Sequence, residues 1–255
     1  GFPRILSPSE GQLRKFLINC SPISDDHGKV NGVLVAFNDV TELDQANSHL
    51  VDTLKNLHES QTEVLKKNEE LELLATRDSL TGCFNRRAFF EKLDSTYVSA
   101  KDKGTPLSCI MADIDHFKLF NDRYGHALGD QVIQVVVKTI GEILRTDDII
   151  GRYGGEEFCI VLPRADRNRA IEIAERICRK IEAESGGKIR TTSGLTITSS
   201  FGVATLTSET VDPVELVDQA DKALYAAKEN GRNQVGFWNA QTHVAEVNSS
   251  LVTTA

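Results

Sequence analysis

The 255-residue sequence contains no unbroken apolar run near the ~18 residues that a membrane-spanning helix needs, so no membrane segment is expected. It also lacks CxxC spacing. Its five cysteines, Cys20, Cys83, Cys109, Cys159 and Cys178, are scattered, and three of them lie within apolar runs where cysteine packs as a small hydrophobe. Reduced thiols and a cytoplasmic setting fit that usage. Excess positive charge is missing too: 29 Lys and Arg stand against 37 Asp and Glu, a formal net charge of −8. Such a balance opposes broad attraction to a nucleic-acid polymer and means that an anionic ligand would need local cations or metal ions. The opening residues Gly1-Phe2-Pro3-Arg4 lack the charged start and long apolar core of a secretory signal, so no export is expected.

What is present suits one full domain with an appendage. Single cores usually hold roughly 100–200 residues, and the 40% hydrophobic and 26% charged content is that of a soluble globular chain. Two β-type runs, Leu13 to Asn19 and Gly32 to Asn38, flank the polar turn sequence Asp25-Asp26-His27-Gly28-Lys29 and predict a hairpin. A lone hairpin has no second layer on which to bury its apolar face, so a larger parent domain is expected. The runs Asn19-Cys20-Ser21-Pro22-Ile23-Ser24-Asp25, Gly32-Val33-Leu34-Val35 and Asp39-Val40-Thr41-Glu42 resemble the last third of a PAS sensor domain. That resemblance implies a partial PAS domain over residues 1–40. An unrelated hairpin is the competing reading.

From Thr41 the pattern turns helical. Leu43, Leu50, Leu57, Val64 and Leu71 recur every seven residues, and the companion positions are Val40, Asn47, Leu54, Gln61, Asn68 and Ala75. With no glycine or proline between Leu43 and Arg77, the helix could extend on the order of 50 Å at ~1.5 Å per residue. Polar residues within such a seam fix register and strand number at some cost in stability. The expectation is a parallel two-stranded coiled coil over residues 41–76 that makes a homodimer; an amphipathic helix packed on its own domain is the alternative.

Beyond Arg77 helices and strands alternate, the signature of an α/β layered domain. Helices are predicted from about Arg86 to Lys103, Phe117 to Arg123, Asp130 to Arg145, Arg167 to Ala183 and Pro213 to Glu229. Strands are predicted at Leu107 to Ile114, Ile149 to Tyr153, Glu156 to Leu162, Leu195 to Ala204 and Gln234 to Trp238. This domain covers residues 77–239, and a frayed, flexible tail is expected over 240–255.

Two signals carry chemistry. In Arg152-Tyr153-Gly154-Gly155-Glu156-Glu157-Phe158, a Gly-Gly pair between apolar strands suits a two-residue hairpin whose central positions need positive φ. The adjacent carboxylates would repel unless a cation lies between them or one is protonated. Alone, this could be an exposed hairpin tip. In Met111-Ala112-Asp113-Ile114-Asp115-His116-Phe117-Lys118 a buried strand ends in Asp-Ile-Asp, with both acids on one face and Ile114 on the other. Asp115 is expected to cap the following helix, which leaves Asp113 for magnesium, a lover of oxygen ligands. Together, the strand-end acid and the acid-bearing hairpin are what two-metal nucleotidyl transfer requires.

From about Thr76 to Trp238 the chain resembles the GGDEF family of diguanylate cyclases. The resemblance rests on Asp78-Ser79-Leu80-Thr81-Gly82 with Asn85-Arg86-Arg87, on Asp113-Ile114-Asp115, on Gly154-Gly155-Glu156-Glu157-Phe158, and on Ala220-Asp221-Lys222-Ala223-Leu224-Tyr225 continuing to Lys228 and Gly231-Arg232-Asn233. It implies a nucleotidyl cyclase-like fold with a central, mainly antiparallel sheet flanked by helices, and the condensation of two GTP into cyclic di-GMP plus two pyrophosphate. It implies that Asp113, the Ile114 carbonyl and Glu156 hold magnesium or manganese, with Glu157 a ligand of a second ion. Glu156 would also accept the proton of the attacking hydroxyl, and Lys118 would stabilise phosphate charge. Asn121 and Asp130 would read guanine, His126 would contact the nucleotide, and Lys228 and Arg232, one helical turn apart, would bind terminal phosphates. Glu156 stands where the family name has Asp, and Cys83 where a leucine is usual; the first keeps the carboxylate and the second touches packing.

Arg145-Thr146-Asp147-Asp148 has the RxxD form of the family's product-inhibition site, with Arg176 resembling its basic partner; a surface Arg–Asp pair is the alternative. Because the product joins two GMP units by equivalent bonds, two domains must meet face to face, and the heptad helix would bring them there. A non-catalytic cyclic di-GMP receptor and a dimeric adaptor are the rival functions.

Overall fold

The structure is a computed structural model in which residues 3–6, 14–189 and 195–247 are described. It divides into two compact units, residues 1–70 and 71–255. The first holds an antiparallel three-stranded sheet, β1 (Pro3–Leu6), β2 (Arg14–Ser24) and β3 (Val30–Asp39), in the order β1-β2-β3. The hairpin predicted from sequence is present as β2 and β3, although Leu13 lies outside the described residues. The third strand is a correction: a four-residue strand beginning in proline, which suits a sheet edge, is too short to announce itself by periodicity.

Helix α1 (Thr41–Thr76) follows. It begins where the Asp39 carboxylate accepts hydrogen bonds from the Thr41 backbone N–H at 3.0 Å and hydroxyl at 2.6 Å. None of its residues is buried, and the seam residues Leu43, Leu50, Leu57, Val64 and Leu71 are each more than half exposed.

The second unit is a sheet covered on both faces. Its strands are β4 (Leu107–Ile114), β5 (Ile149–Arg152), β6 (Glu157–Pro163), β7 (Ser199–Thr205), β8 (Val235–Asn239) and β9 (Val244–Val247), ordered β5-β6-β4-β7-β8-β9. All neighbours are antiparallel except β7 and β8, which α6 (Pro213–Glu229) connects in parallel. Alternation along the fully buried β4 feeds two cores. Ile110, Ala112 and Ile114 pack with Val132, Ile133 and Val136 of α4 (His126–Gly141) and Ile173 and Ile177 of α5 (Arg167–Glu184). Leu107, Cys109 and Met111 pack with Phe89 and Leu93 of α2 (Arg86–Lys103) and Leu216 and Val217 of α6. Each fully buried Val, Leu, Ile, Phe or Met side chain among them contributes roughly 1.5–3 kcal/mol. Helix α6 lies directly on β7: a Cβ at Gly202 would stand 2.1 Å from both the Ala220 carbonyl oxygen and the Leu224 nitrogen. That contact brings the last turn of α6 to the end of β4.

Most boundaries of the second unit fall within a residue of expectation, and three differ by more. Helix α4 starts at His126, not Asp130, and ends at Gly141, not Arg145; the apolar pattern continues through Ile143 and Leu144, but there the chain turns, with both amides bonding to the Ile140 carbonyl. Strand β7 begins at Ser199 rather than Leu195. The tail expected to fray instead forms β9, paired with β8 from Gly236↔Val247 to Asn239↔Val244; residues 248–255 lie outside the described residues. No described helix is long and apolar enough to cross a membrane.

Candidate active site

Strand β4 delivers Asp113 to the rim of the sheet between Glu157 of β6 and Ser200 of β7, its register partners. The two residues after the strand form a tight turn. His116 adopts a left-handed conformation with φ 56°, and α3 (Phe117–Tyr124) starts from it without a side-chain cap. Asp115 therefore does not cap α3. Its carboxylate instead accepts hydrogen bonds from the Ser200 hydroxyl at 2.7 Å, the Thr198 hydroxyl at 2.8 Å and the Asn233 backbone N–H at 3.0 Å. Asp115 thus pins the end of β4 to β7 and to the loop after α6. Three donors at separate sequence positions converge on it, which no local pattern reveals.

An open cavity of about 200 Å³ lies at this strand end, lined among others by Asp113, Ile114, Lys118, Glu156, Lys228 and Arg232. Six of the residues singled out in the sequence are thereby gathered at one place. Asp113 is 8% exposed, and the Lys228 ammonium donates to its carboxylate at 2.8 Å. Burial pushes the Asp113 carboxyl up to about 6; the Lys228 hydrogen bond and charge work against that rise, and the charges of Glu156 and Glu157 add to it. Lys228, expected to bind phosphates, is thus the counter-ion of Asp113. Arg232 joins it by a different route than helical spacing: α6 ends at Glu229, and Arg232 stands in the following loop with φ 63°, donating to the Lys228 carbonyl at 3.3 Å.

The hairpin between β5 and β6 also departs from expectation. Neither Gly154 nor Gly155 occupies the left-handed region, so the loop is not the positive-φ two-residue turn. It is wider: the amides of Tyr153 and Gly154 both donate to the Glu157 carbonyl, at 2.9 and 3.3 Å. Glycine is needed at 154 for space, because a Cβ there would meet the Glu157 carboxylate at 2.4 Å, while 155 is open. Glu157 is not among the cavity's lining.

Asn121, His126 and Asp130 sit on α3 and α4, outside the cavity's lining. The Asn121 carboxamide lies against Gly129, where a Cβ would stand 1.9 Å from Oδ1, and that oxygen is buried with no hydrogen-bond partner. An orphaned buried acceptor is costly, about 1–3 kcal/mol, and is common where a ligand completes the bonding. Gly129 is a residue the sequence reading missed. The helix predicted from Asp130 left it just outside, and only the start of α4 at His126 puts a glycine inside a helix, where a close approach is to be suspected.

Arg145, Asp148 and Arg176 lie apart from this cavity. Asp148 accepts from the backbone N–H of Arg145 at 2.7 Å rather than from its guanidinium, and Arg176 donates to the Ile143 carbonyl at 3.2 Å. The alternative of a surface Arg145–Asp148 ion pair is not what forms. Four of the five cysteines are buried, Cys20 is exposed, and all five are free thiols.

The carboxylates suit a hard divalent cation: Asp113 is buried at the strand end, and the charges of Glu156 and Glu157 are close enough to hinder its ionisation. Among the described residues no three His, Cys, Asp or Glu side chains already form a metal cluster.

Comparison with known proteins identifies the family. The diguanylate cyclase GGDEF domain family matches residues 75–234, more than half of the chain. The chain belongs to the GGDEF family. Its relatives include the probable diguanylate cyclase DgcT of Escherichia coli, 44% identical over 162 residues, which are 64% of this chain and 35% of that protein. The solved coiled coil and GGDEF domain of DgcB from Caulobacter crescentus, in complex with c-di-GMP, is 36% identical over 72% of this chain and 98% of that one, with a TM-score of 0.65. The active GGEEF domain of a diguanylate cyclase from Vibrio cholerae, 34% identical over 62% of this chain and 97% of its own, gives a TM-score of 0.58. The chain spans between 35% and 62% of the length of the curated relatives it matches. The α/β fold expected from sequence, with its mixed, mainly antiparallel sheet flanked by helices, is that of GGDEF domains.

Proposed function

We propose that this GGDEF chain is a diguanylate cyclase, condensing two GTP into cyclic di-GMP with release of two pyrophosphates. One observation carries the reading: a buried strand-end carboxylate, Asp113, and a hairpin carboxylate, Glu156, line one cavity with the cations Lys118, Lys228 and Arg232. Asp113, the Ile114 carbonyl and Glu156 would hold magnesium or manganese, with Glu157 beside them for a second ion. When bound, the metal neutralises phosphate charge and eases deprotonation of the attacking 3′-hydroxyl. Glu156 takes that proton, and Lys118 stabilises charge on the transferring phosphoryl group. Lys228 and Arg232 bind the terminal phosphates, which requires Lys228 to leave Asp113 as the nucleotide arrives. Asn121, its unpartnered Oδ1 able to accept from the guanine amine once the nucleotide reaches it, reads the base with Asp130, and His126 contacts the nucleotide.

Each domain holds one GTP, so two must meet. The exposed heptad seam of α1 supports a homodimeric coiled coil over residues 41–76, preceded by a partial PAS domain over 1–40. DgcB, a relative by structure, is described with a coiled coil. Arg145, Asp148 and Arg176 would form the product-inhibition site, supported by the RxxD spacing and by the exposure of Arg145. A cytoplasmic location accords with the substrate and the free thiols. Incubation with GTP and magnesium, followed by chromatography, should show the cyclic dinucleotide, and Glu156→Gln should abolish it. A folded dimer with no turnover would refute the reading.

A further inference from the structure

The side chain of Arg152, at the end of β5, makes two separate attachments. Nη1 lies 3.1 Å from each oxygen of Asp78, and Nε and Nη2 donate to the Gly155 carbonyl at 3.0 and 2.7 Å. Both acidic and basic side chains of the pair are about one-fifth exposed. Asp78 stands two residues beyond the end of α1. It is fixed there by the Thr81 amide at 3.0 Å and hydroxyl at 2.7 Å, and by backbone bonds between Asp78 and both Gly82 and Cys83. Burial alone would raise the Asp78 carboxyl, but the Thr81 hydroxyl and Arg152 outweigh it and hold it below the ordinary aspartate range.

We propose that Arg152 is a positioning residue: its guanidinium spans from the root of α1 to the Gly155 carbonyl and thereby sets where Glu156 stands in the cavity. The reasoning is geometric. A peptide unit is planar, so fixing the Gly155 oxygen fixes the plane that carries the Glu156 nitrogen and Cα. A guanidinium is rigid and presents its donors in a fixed fork, so it transmits the position of one partner to the other; an ammonium could not span both. The backbone of β5 does not depend on this link, because Phe84 already bonds to both sides of it, Phe84 N–H to Ile150 at 3.1 Å and Arg152 N–H to the Phe84 carbonyl at 2.8 Å. What the side chain adds is the hold on Gly155. Asn85 ties the same region together, donating to the Ala75 carbonyl at 2.8 Å and accepting from the Ala88 amide at 3.0 Å, so it joins the end of α1 to the start of α2. A change in the last turn of α1 therefore has a short polar route to the acid-bearing hairpin.

This inference rests on the cyclase reading, but half of its test does not. Hydrogen exchange of the amides at 153–157 is measured in the ligand-free, full chain for wild type, Asp78→Asn and Arg152→Gln. The proposal expects both variants to raise exchange there to the same extent. GTP turnover is then measured for the same proteins, for Asp78→Asn combined with Arg152→Gln, and for Arg152→Lys, which keeps the charge if the glutamine variant fails to fold. The expectation is a loss in kcat of about ten- to a hundredfold, the scale of a misplaced catalytic group, with KM for GTP within about twofold, and a double variant no worse than Arg152→Gln. Multiplying losses in the double variant, a KM effect with kcat intact, or hairpin exchange unmoved by Asp78→Asn would each overturn it. A wild-type chain that makes no cyclic dinucleotide defeats the cyclase reading, and the exchange result alone then decides the link.

Discussion

The two units of this chain treat apolar residues in opposite ways. No residue from Arg14 to Ala75 is buried, although β3 exposes Val33, Leu34 and Phe37 and α1 exposes a row of leucines. From Cys83 onward the chain buries two cores on either side of one sheet, with Leu93, Leu107, Ile110 and Ile160 fully enclosed. Apolar side chains in the second unit stabilise the fold. Those of α1 do nothing for the described chain by itself, and their regular spacing gives them an intermolecular use in the cyclase reading.

Substitutions should separate these roles. The largest effect is expected from Leu50→Lys with Leu57→Lys: cyclase activity at micromolar protein should fall by two or more orders of magnitude as the chain becomes monomeric by light scattering, while the melting temperature of the GGDEF unit stays unchanged. Full activity in a strictly monomeric variant would break the comparison. Ile110→Ala should do the reverse, lowering unfolding free energy by about 2–5 kcal/mol in a denaturant titration without affecting association.

Next in size is a pH effect. In the folded, ligand-free chain Asp113 keeps its proton up to about 6, whereas the unfolded chain releases it near 3.8. Between those values the unfolded state binds fewer protons, so stability falls as pH rises, and above about 6 the full penalty applies, on the order of 3 kcal/mol. Asp113→Asn should therefore stabilise the ligand-free chain at pH 7.5 and leave it nearly unchanged at pH 3.5, as read from denaturant midpoints. An equal effect at both values would show that burial of this carboxylate carries no cost. The smallest effect is expected for Asn85→Ala, about 1 kcal/mol, because it removes the cap of α2 and the tie to α1 but no packed surface.

Much of this was legible in the sequence because it was local. The 3.6 and 2.0 periodicities gave the core elements, and runs such as Asp113-Ile114-Asp115 and Gly154-Gly155-Glu156-Glu157 marked the cavity. Lys118, Lys228 and Arg232, singled out from other motifs, line the same cavity. What escaped depends on residues distant in sequence. Asp115 looked like a helix cap, yet its three donors come from Thr198, Ser200 and Asn233. Gly129 stands one residue before the predicted helix, and its lack of a Cβ matters because the Asn121 carboxamide, eight residues away, lies against it. The φ values of Gly154 and Gly155 could not be inferred from the dipeptide, because the wider loop is set by Glu157 and by Arg152. Strand β9 carries too weak an alternation to stand out, and it forms because β8 offers an edge to pair with.

The central claim is that Asp113 and Glu156 share a divalent cation. Crystals grown with manganese and a non-hydrolysable GTP analogue would test it through the anomalous signal. The account predicts a peak about 2.0–2.3 Å from a carboxylate oxygen of each residue, with the triphosphate beside it. A peak bound by neither residue, or an ordered nucleotide with no metal between the two carboxylates, would contradict it.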